Sequence, residues 1–125
     1  MIAFRFANGP PEPLTSKSLV VEVPRNIDSK DPLLSFLAAN LNFPSYFGMN
    51  WDALDECLSD LSWLNVDKVV LWHSDVPFFA GSQDRKSYLE LLNSLCKEEL
   101  RRKIEVIFPS DMKDEVESTL ARQDL

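Results

Sequence analysis

The sequence predicts an α/β fold built on a parallel sheet, and three observations carry that prediction. Short runs rich in β-branched residues alternate with longer runs of helical periodicity, and Pro or polar turn residues separate them. The chain has 125 residues, 45% hydrophobic and 26% charged, as suits one globular domain with one core. No internal repeat, low-complexity tract or linker divides it, so residues 1–125 read as a single domain.

Ile2 to Phe6 alternates apolar and polar residues like a short strand, and Asn8-Gly9-Pro10-Pro11-Glu12-Pro13 then breaks the chain. Leu19-Val20-Val21-Glu22-Val23 is the next strand, stopped by Pro24. Asp31-Pro32 is expected to open a helix, Asp31 as its cap and Pro32 at its first position, with Leu33, Leu34, Phe36, Leu37 and Leu41 as its apolar face. Pro44 to Met49 is a loop, and Asn50 offers a cap for a helix reaching about Leu61. Lys68-Val69-Val70-Leu71-Trp72 reads as a buried strand. After a loop from Phe78 to Gln83, a helix is expected from about Asp84 to Arg101, carrying Tyr88, Leu91, Leu92, Leu95 and Leu100. Ile104 to Phe108 is the last strand, ended by Pro109, and Asp111 is expected to cap a final helix with Met112, Val116 and Leu120. Strands alternating with helices imply right-handed crossovers and parallel pairing.

Composition excludes several function classes. The longest apolar stretches, such as Val69 to Trp72, fall far short of the roughly 20 residues of a membrane span. The N-terminus carries Arg5 inside a short apolar run and lacks a signal-peptide layout, so a cytoplasmic protein is expected. Cys57 and Cys96 have neither CxxC spacing nor a histidine cluster, and read as two buried, reduced thiols. His73, the single histidine, has no triad or metal motif beside it and reads as structural. There is no G-x-S-x-G and no phosphate-binding loop, and no metal, cofactor or catalytic residue is implied. Arg101-Arg102-Lys103 reads as complementing a helix C-terminus, and Trp63 and Trp72 as core residues.

The net charge of −7 is concentrated in one place. Between Asp31 and Asp67 the acidic residues are Asp31, Asp52, Asp55, Glu56, Asp60 and Asp67, with no Lys or Arg among them. Such a field repels nucleic acid and attracts a basic partner.

On a helical wheel of residues 50–61, Trp51, Leu54, Leu58 and Leu61 form a stripe for the core. Asp52, Glu56 and Asp60, with Asp55 beside them, point away from it. Like charges at i and i+4 destabilise a helix by about 0.2–0.5 kcal/mol per pair, so this row does not serve stability. Successive carboxylates stand about 6 Å apart along the axis, comparable to the spacing of phosphates on a nucleic-acid strand. Acidic helix faces are common on soluble proteins. What distinguishes this one is the loop before it, where Tyr46 and a flexible Gly48 stand at the helix start, an aromatic anchor beside charges. Phe47 is expected in the core and Tyr46 outside it.

The segment Leu41-Asn42-Phe43-Pro44-Ser45-Tyr46-Phe47-Gly48-Met49-Asn50-Trp51-Asp52-Ala53-Leu54-Asp55-Glu56-Cys57-Leu58 resembles the signature of the barstar family of ribonuclease inhibitors. Val69-Val70-Leu71-Trp72 resembles the family's next strand, and the likeness runs from about Leu19 to Phe108. The resemblance implies a three-stranded parallel sheet packed by helices, to which this chain adds an N-terminal strand and a C-terminal helix. It also implies a monomer when free, whose loop and helix cover the active site of a basic, extracellular-type ribonuclease. Carried over by position, the partner-binding residues are Tyr46, Gly48, Asn50, Asp52 and Glu56, with Asp55 and Asp60 completing the acidic face. Glu56 matches the carboxylate that fills the enzyme's phosphate-binding centre, and here it is Glu where barstar has Asp. Asp55 stands where family members can carry Trp, and a further acidic contact aligns near Lys86. Residues 1–17 and 109–125 extend beyond the family core. These departures leave a second reading, an interaction module or an immunity protein against a different basic toxin.

Overall fold

The computed structural model describes residues 2–9, 11, 17–100 and 102–122. In chain order the elements are β1 (Arg5–Phe6), β2 (Ser18–Val23), α1 (Lys30–Asn40), α2 (Trp51–Asp60), β3 (Lys68–His73), α3 (Gln83–Lys97), β4 (Lys103–Phe108), a 3-10 turn (Ser110–Met112) and α4 (Lys113–Ala121). The strands form one sheet in the order β1-β4-β3-β2, and every neighbouring pair is parallel. The N-terminal strand is shorter than its alternation suggests. It joins as a fourth strand, with Arg5 opposite Ile107 and Phe6 opposite Phe108.

The crossovers β2 to β3 and β3 to β4 step in the same direction across the sheet. Right-handed connections therefore carry α1, α2 and α3 over one face. Val21, Leu71 and Val106 stand in register on that face. They pack with Leu33, Leu37, Leu54, Leu58, Leu89 and Leu92 into the core. His73 belongs to the same face and is fully buried. Its Nδ1 lies 3.1 Å from the Ile107 carbonyl, which can only accept, so Nδ1 carries the proton. Nε2 then accepts from the Tyr88 hydroxyl at 2.7 Å, and the ring stacks on Phe108. The histidine is a neutral core residue, its pKa lowered to about 4 by burial.

Strand alternation sends other residues to the outer face. Glu105 accepts from Arg5 and Lys68 there, tying β1, β4 and β3 together. Its burial favours the neutral acid, but the hydrogen bonds and charges of Lys68 and Arg5 outweigh that and hold its pKa below the usual value. Trp72 also lies on this face, half-buried opposite Glu22 and Ile107, and not in the core as the sequence suggests.

Several element ends differ from expectation. Ser29, not Asp31, is the residue before α1, so Asp31 and Pro32 lie within the first turn. Pro32 costs no hydrogen bond there, because the first four N–H groups of a helix have no partner within it. α3 stops at Lys97 when Glu98 turns extended, and Leu100 packs on the core from the following loop. Arg102 donates through Nε and Nη2 to the Leu64 carbonyl at 3.0 and 2.7 Å. It therefore fixes the loop before β3 instead of complementing a helix end, and Arg101 lies outside the described residues. Asp111 falls in the 3-10 turn, and Met112 precedes α4. Pro10, Glu12 and Pro13 of the expected N-terminal turn also lie outside the described residues.

Candidate functional site

Helix α2 starts where the sequence places it. The Asn50 side chain accepts from the Ala53 N–H at 2.8 Å and donates to the Gly48 carbonyl at 3.2 Å. One amide thus caps the helix and ties the preceding loop to it. The positive φ of that loop belongs to Met49 (+53°), not to Gly48. Gly48 is therefore not a flexible hinge, as the sequence suggests, but a position short of space. A Cβ there would stand 3.3 Å from Asn50 Nδ2 and 3.7 Å from Ala53 Cβ.

The inward side of α2 is packed against the core. Leu54, Leu58 and Leu61 are buried, and Trp51 packs its ring against Phe78 and Tyr88 with centroids 6.0 and 6.1 Å away. On the outward side Asp52, Asp55, Glu56 and Asp60 are all exposed. Among the described residues none of the four makes an ion pair. This uncompensated row is what Asp and Glu at spacings of four, with no intervening Lys or Arg, lead one to expect.

The loop before the helix has a fixed base and an exposed tip. Phe47 is half-buried and meets Phe43 edge-on at 4.9 Å, and Phe43 meets Trp63 at 6.2 Å. Trp63 in turn donates from its indole N–H to the Leu41 carbonyl at 2.8 Å. Tyr46, by contrast, is 77% exposed.

Tyr46, Gly48, Glu56 and Asp60 come together around one cavity of about 160 Å³. Phe47, Ala53, Cys57 and Trp63 complete its lining. Asn50 supports this cavity through Gly48, while Asp52 and Asp55 stand outside it. The Cys57 thiol is pushed above its ordinary pKa by burial and then by the negative charges of Glu56 and Asp60. It stays protonated and is a poor nucleophile. The same negative potential would favour an incoming cation.

Trp63 and Cys57 were not recognisable as lining residues from sequence. Trp63 reaches the cavity only because the Leu41–Phe47 segment folds back on it. Lys86, near which the family's further acidic contact aligns, is buried and presents almost no surface to a partner. A larger cleft of about 810 Å³ lies elsewhere, lined by Phe4 and Phe6 together with residues of α3 and α4. Both cysteines are free, and among the described residues no three His, Cys, Asp or Glu side chains gather as a metal site. Among the described residues no helix is long and apolar enough to cross a membrane.

The family model described as Barstar (barnase inhibitor) matches residues 19–109, well over half the chain. The chain belongs to the barstar family. No curated protein matches it. The matched region runs from β2 through β4 and contains the whole of the Tyr46 loop and α2. β1 and α4 lie outside it, so the fourth strand is an addition to the part the family defines. The family is one of inhibitors, not catalysts, and membership makes this domain barnase-inhibitor-like or a related protein-interaction module.

Proposed function

We propose that the protein inhibits a ribonuclease by laying α2 and the Tyr46–Asn50 loop over the enzyme's basic active site. The observation that carries this reading is the exposed carboxylate row, without ion-pair partners among the described residues, beside the exposed ring of Tyr46. A catalytic pocket that grips RNA must present Arg and Lys side chains to phosphates. Carboxylates spaced about 6 Å apart offer those side chains a competing set of acceptors. Glu56 lines the cavity and stands at the position of the family's phosphate-mimicking carboxylate, which supports its reading as the group that substitutes for a phosphate. Tyr46 adds a large contact area at small entropic cost, as interface anchors do.

Charge steering makes the reading quantitative. In barnase and barstar, the complex that gives the family its description, close charge pairs couple by about 1.5–7 kcal/mol. Even the low end of that range corresponds to about tenfold in affinity.

One observation favours a second reading, an immunity protein against a different basic toxin. Asp55 puts a charge where family members can carry Trp, and Glu56 reaches one methylene further than Asp would. The first change adds a negative charge and suits a more cationic partner, and the second alters reach but not charge.

The test uses barnase as the probe. RNA cleavage by barnase, followed with the protein in molar excess, is expected to stop, and added salt should restore it. Cleavage that continues unchanged at low salt would sink the ribonuclease reading. Capture of some other small basic toxin in that event would leave the second reading standing.

A further inference from the structure

The corner at the carboxyl ends of β2 and β3 carries features that the α2 surface does not use. Phe79 is 68% exposed, yet the loop that bears it is fixed. Arg85, buried beneath it, donates from Nε to the Pro77 carbonyl at 3.0 Å. Its Nη2 donates to the carbonyls of Val76 and Phe78 at 3.0 and 2.6 Å, and Nη1 to Glu115 at 3.4 Å. The Phe78 N–H donates to the Ile27 carbonyl at 2.7 Å, and Phe78 holds a φ of +69°. These bonds fix the backbone on which Phe79 stands in solvent.

Beside Phe79 lies a cavity of about 280 Å³ whose lining includes Ile27, Asp28, Asp75, Val76 and Arg85. The Oδ1 atom of Asp75 is buried and has no hydrogen-bond partner among the described residues. A buried acceptor left unpaired is costly, and each such atom asks for a group that satisfies it. Arg85 is not that group, since the bonds of its guanidinium go to the three carbonyls and Glu115.

The corner adjoins the acidic helix. Trp51, the first residue of α2, packs on Phe78, and Asp55 lies one turn further along the same flank. A partner covering Asp52 and Glu56 therefore approaches Phe79 from the Asp55 side.

We propose that this corner is a second contact point for the same basic partner, receiving an arginine side chain. Its guanidinium bonds to Asp75 and Asp28, and its plane lies on the Phe79 ring. Guanidinium suits both demands, since it forks onto carboxylates and stacks on aromatic faces. The inference rests on the reading that α2 binds a basic protein.

Two measurements test it separately from that reading. Titration of ¹⁵N-labelled protein with N-acetyl-arginine amide is expected to give saturable amide shifts at Asp28, Asp75 and Phe79, lost in Asp75→Asn. Shifts confined to the Glu56–Asp60 region, or no shifts, would overturn the proposal whatever barnase does. With barnase as the probe, Phe79→Ala and Asp75→Asn should each bind about tenfold more weakly than the parent. Parent-like affinity in both variants counts against this corner alone. Failure of the parent itself to bind counts against the α2 reading.

Discussion

Asn50 and Gly48 show how much of the site depends on two small residues. Asn50 joins the loop to the helix through both ends of its amide. Replacing it with Ala is expected to cost about 1 kcal/mol of stability, measured by urea denaturation. The same change should also weaken partner binding, because the Tyr46 loop loses its tie to α2. Gly48→Ala is expected to be milder in stability, since Asn50 Nδ2 must shift by only a few tenths of an ångström to admit a Cβ. The cap at Asn50 was legible in the sequence because an Asn before an amphipathic stretch has few other uses. The roles of Asp31 and Gly48 were not. Asp31 resembles a cap in isolation, yet the backbone enters the helix at Ser29. Gly48 suggests conformational freedom, yet Met49 takes the positive φ and the glycine supplies room.

At the scale of the element, α2 is a helix that works against itself. Asp52 and Glu56, and Glu56 and Asp60, are like-charged pairs one turn apart on an exposed face, and among the described residues no cation pairs with them. Glu56→Gln removes both repulsions and is expected to raise stability by roughly 0.2–0.5 kcal/mol per pair, seen as a higher melting temperature. A fall in stability would mean that Glu56 makes a favourable intramolecular contact and is not held in reserve for a partner. The two faces of this helix were fully legible, because periodicity alone separates Leu54, Leu58 and Leu61 from Asp52, Glu56 and Asp60. The cavity that Glu56 and Asp60 share with Trp63 was not legible, because it depends on the distant Leu41–Phe47 segment folding back. The end of α3 is hidden from the sequence for a similar reason. Helical periodicity continues to Leu100, but the chain must turn at Glu98 to bring Lys103 into the sheet.

At the scale of the whole molecule, the alternation of strands and helices was enough to give a parallel sheet. It was not enough to place the first strand beside β4, since two residues of pairing leave little trace in a pattern. The buried His73 sets a pH limit on the fold. Its pKa falls from 6.5 in the unfolded chain to about 4 in the folded protein, so between those values the unfolded chain holds the extra proton. The stability that neutral His73 contributes is fully present above about pH 6.5 and is lost as pH falls toward 4. Between pH 7 and pH 5 the expected loss is about 2 kcal/mol, measured by chemical denaturation at the two values. Glu105, whose pKa is lowered, adds a further loss as pH falls below its ordinary value of 4.5. His73→Gln should start less stable but show a much flatter dependence between pH 7 and 5. An equally steep dependence in that variant would assign the acid sensitivity to another group.

The functional account depends on the outward charge of α2 being used by another protein, and one comparison tests that most directly. The affinity of the parent and of Glu56→Gln for barnase, measured by calorimetry at low salt with folding checked by circular dichroism, should differ by about tenfold or more in favour of the parent. A folded Glu56→Gln variant that binds as tightly as the parent would contradict the account.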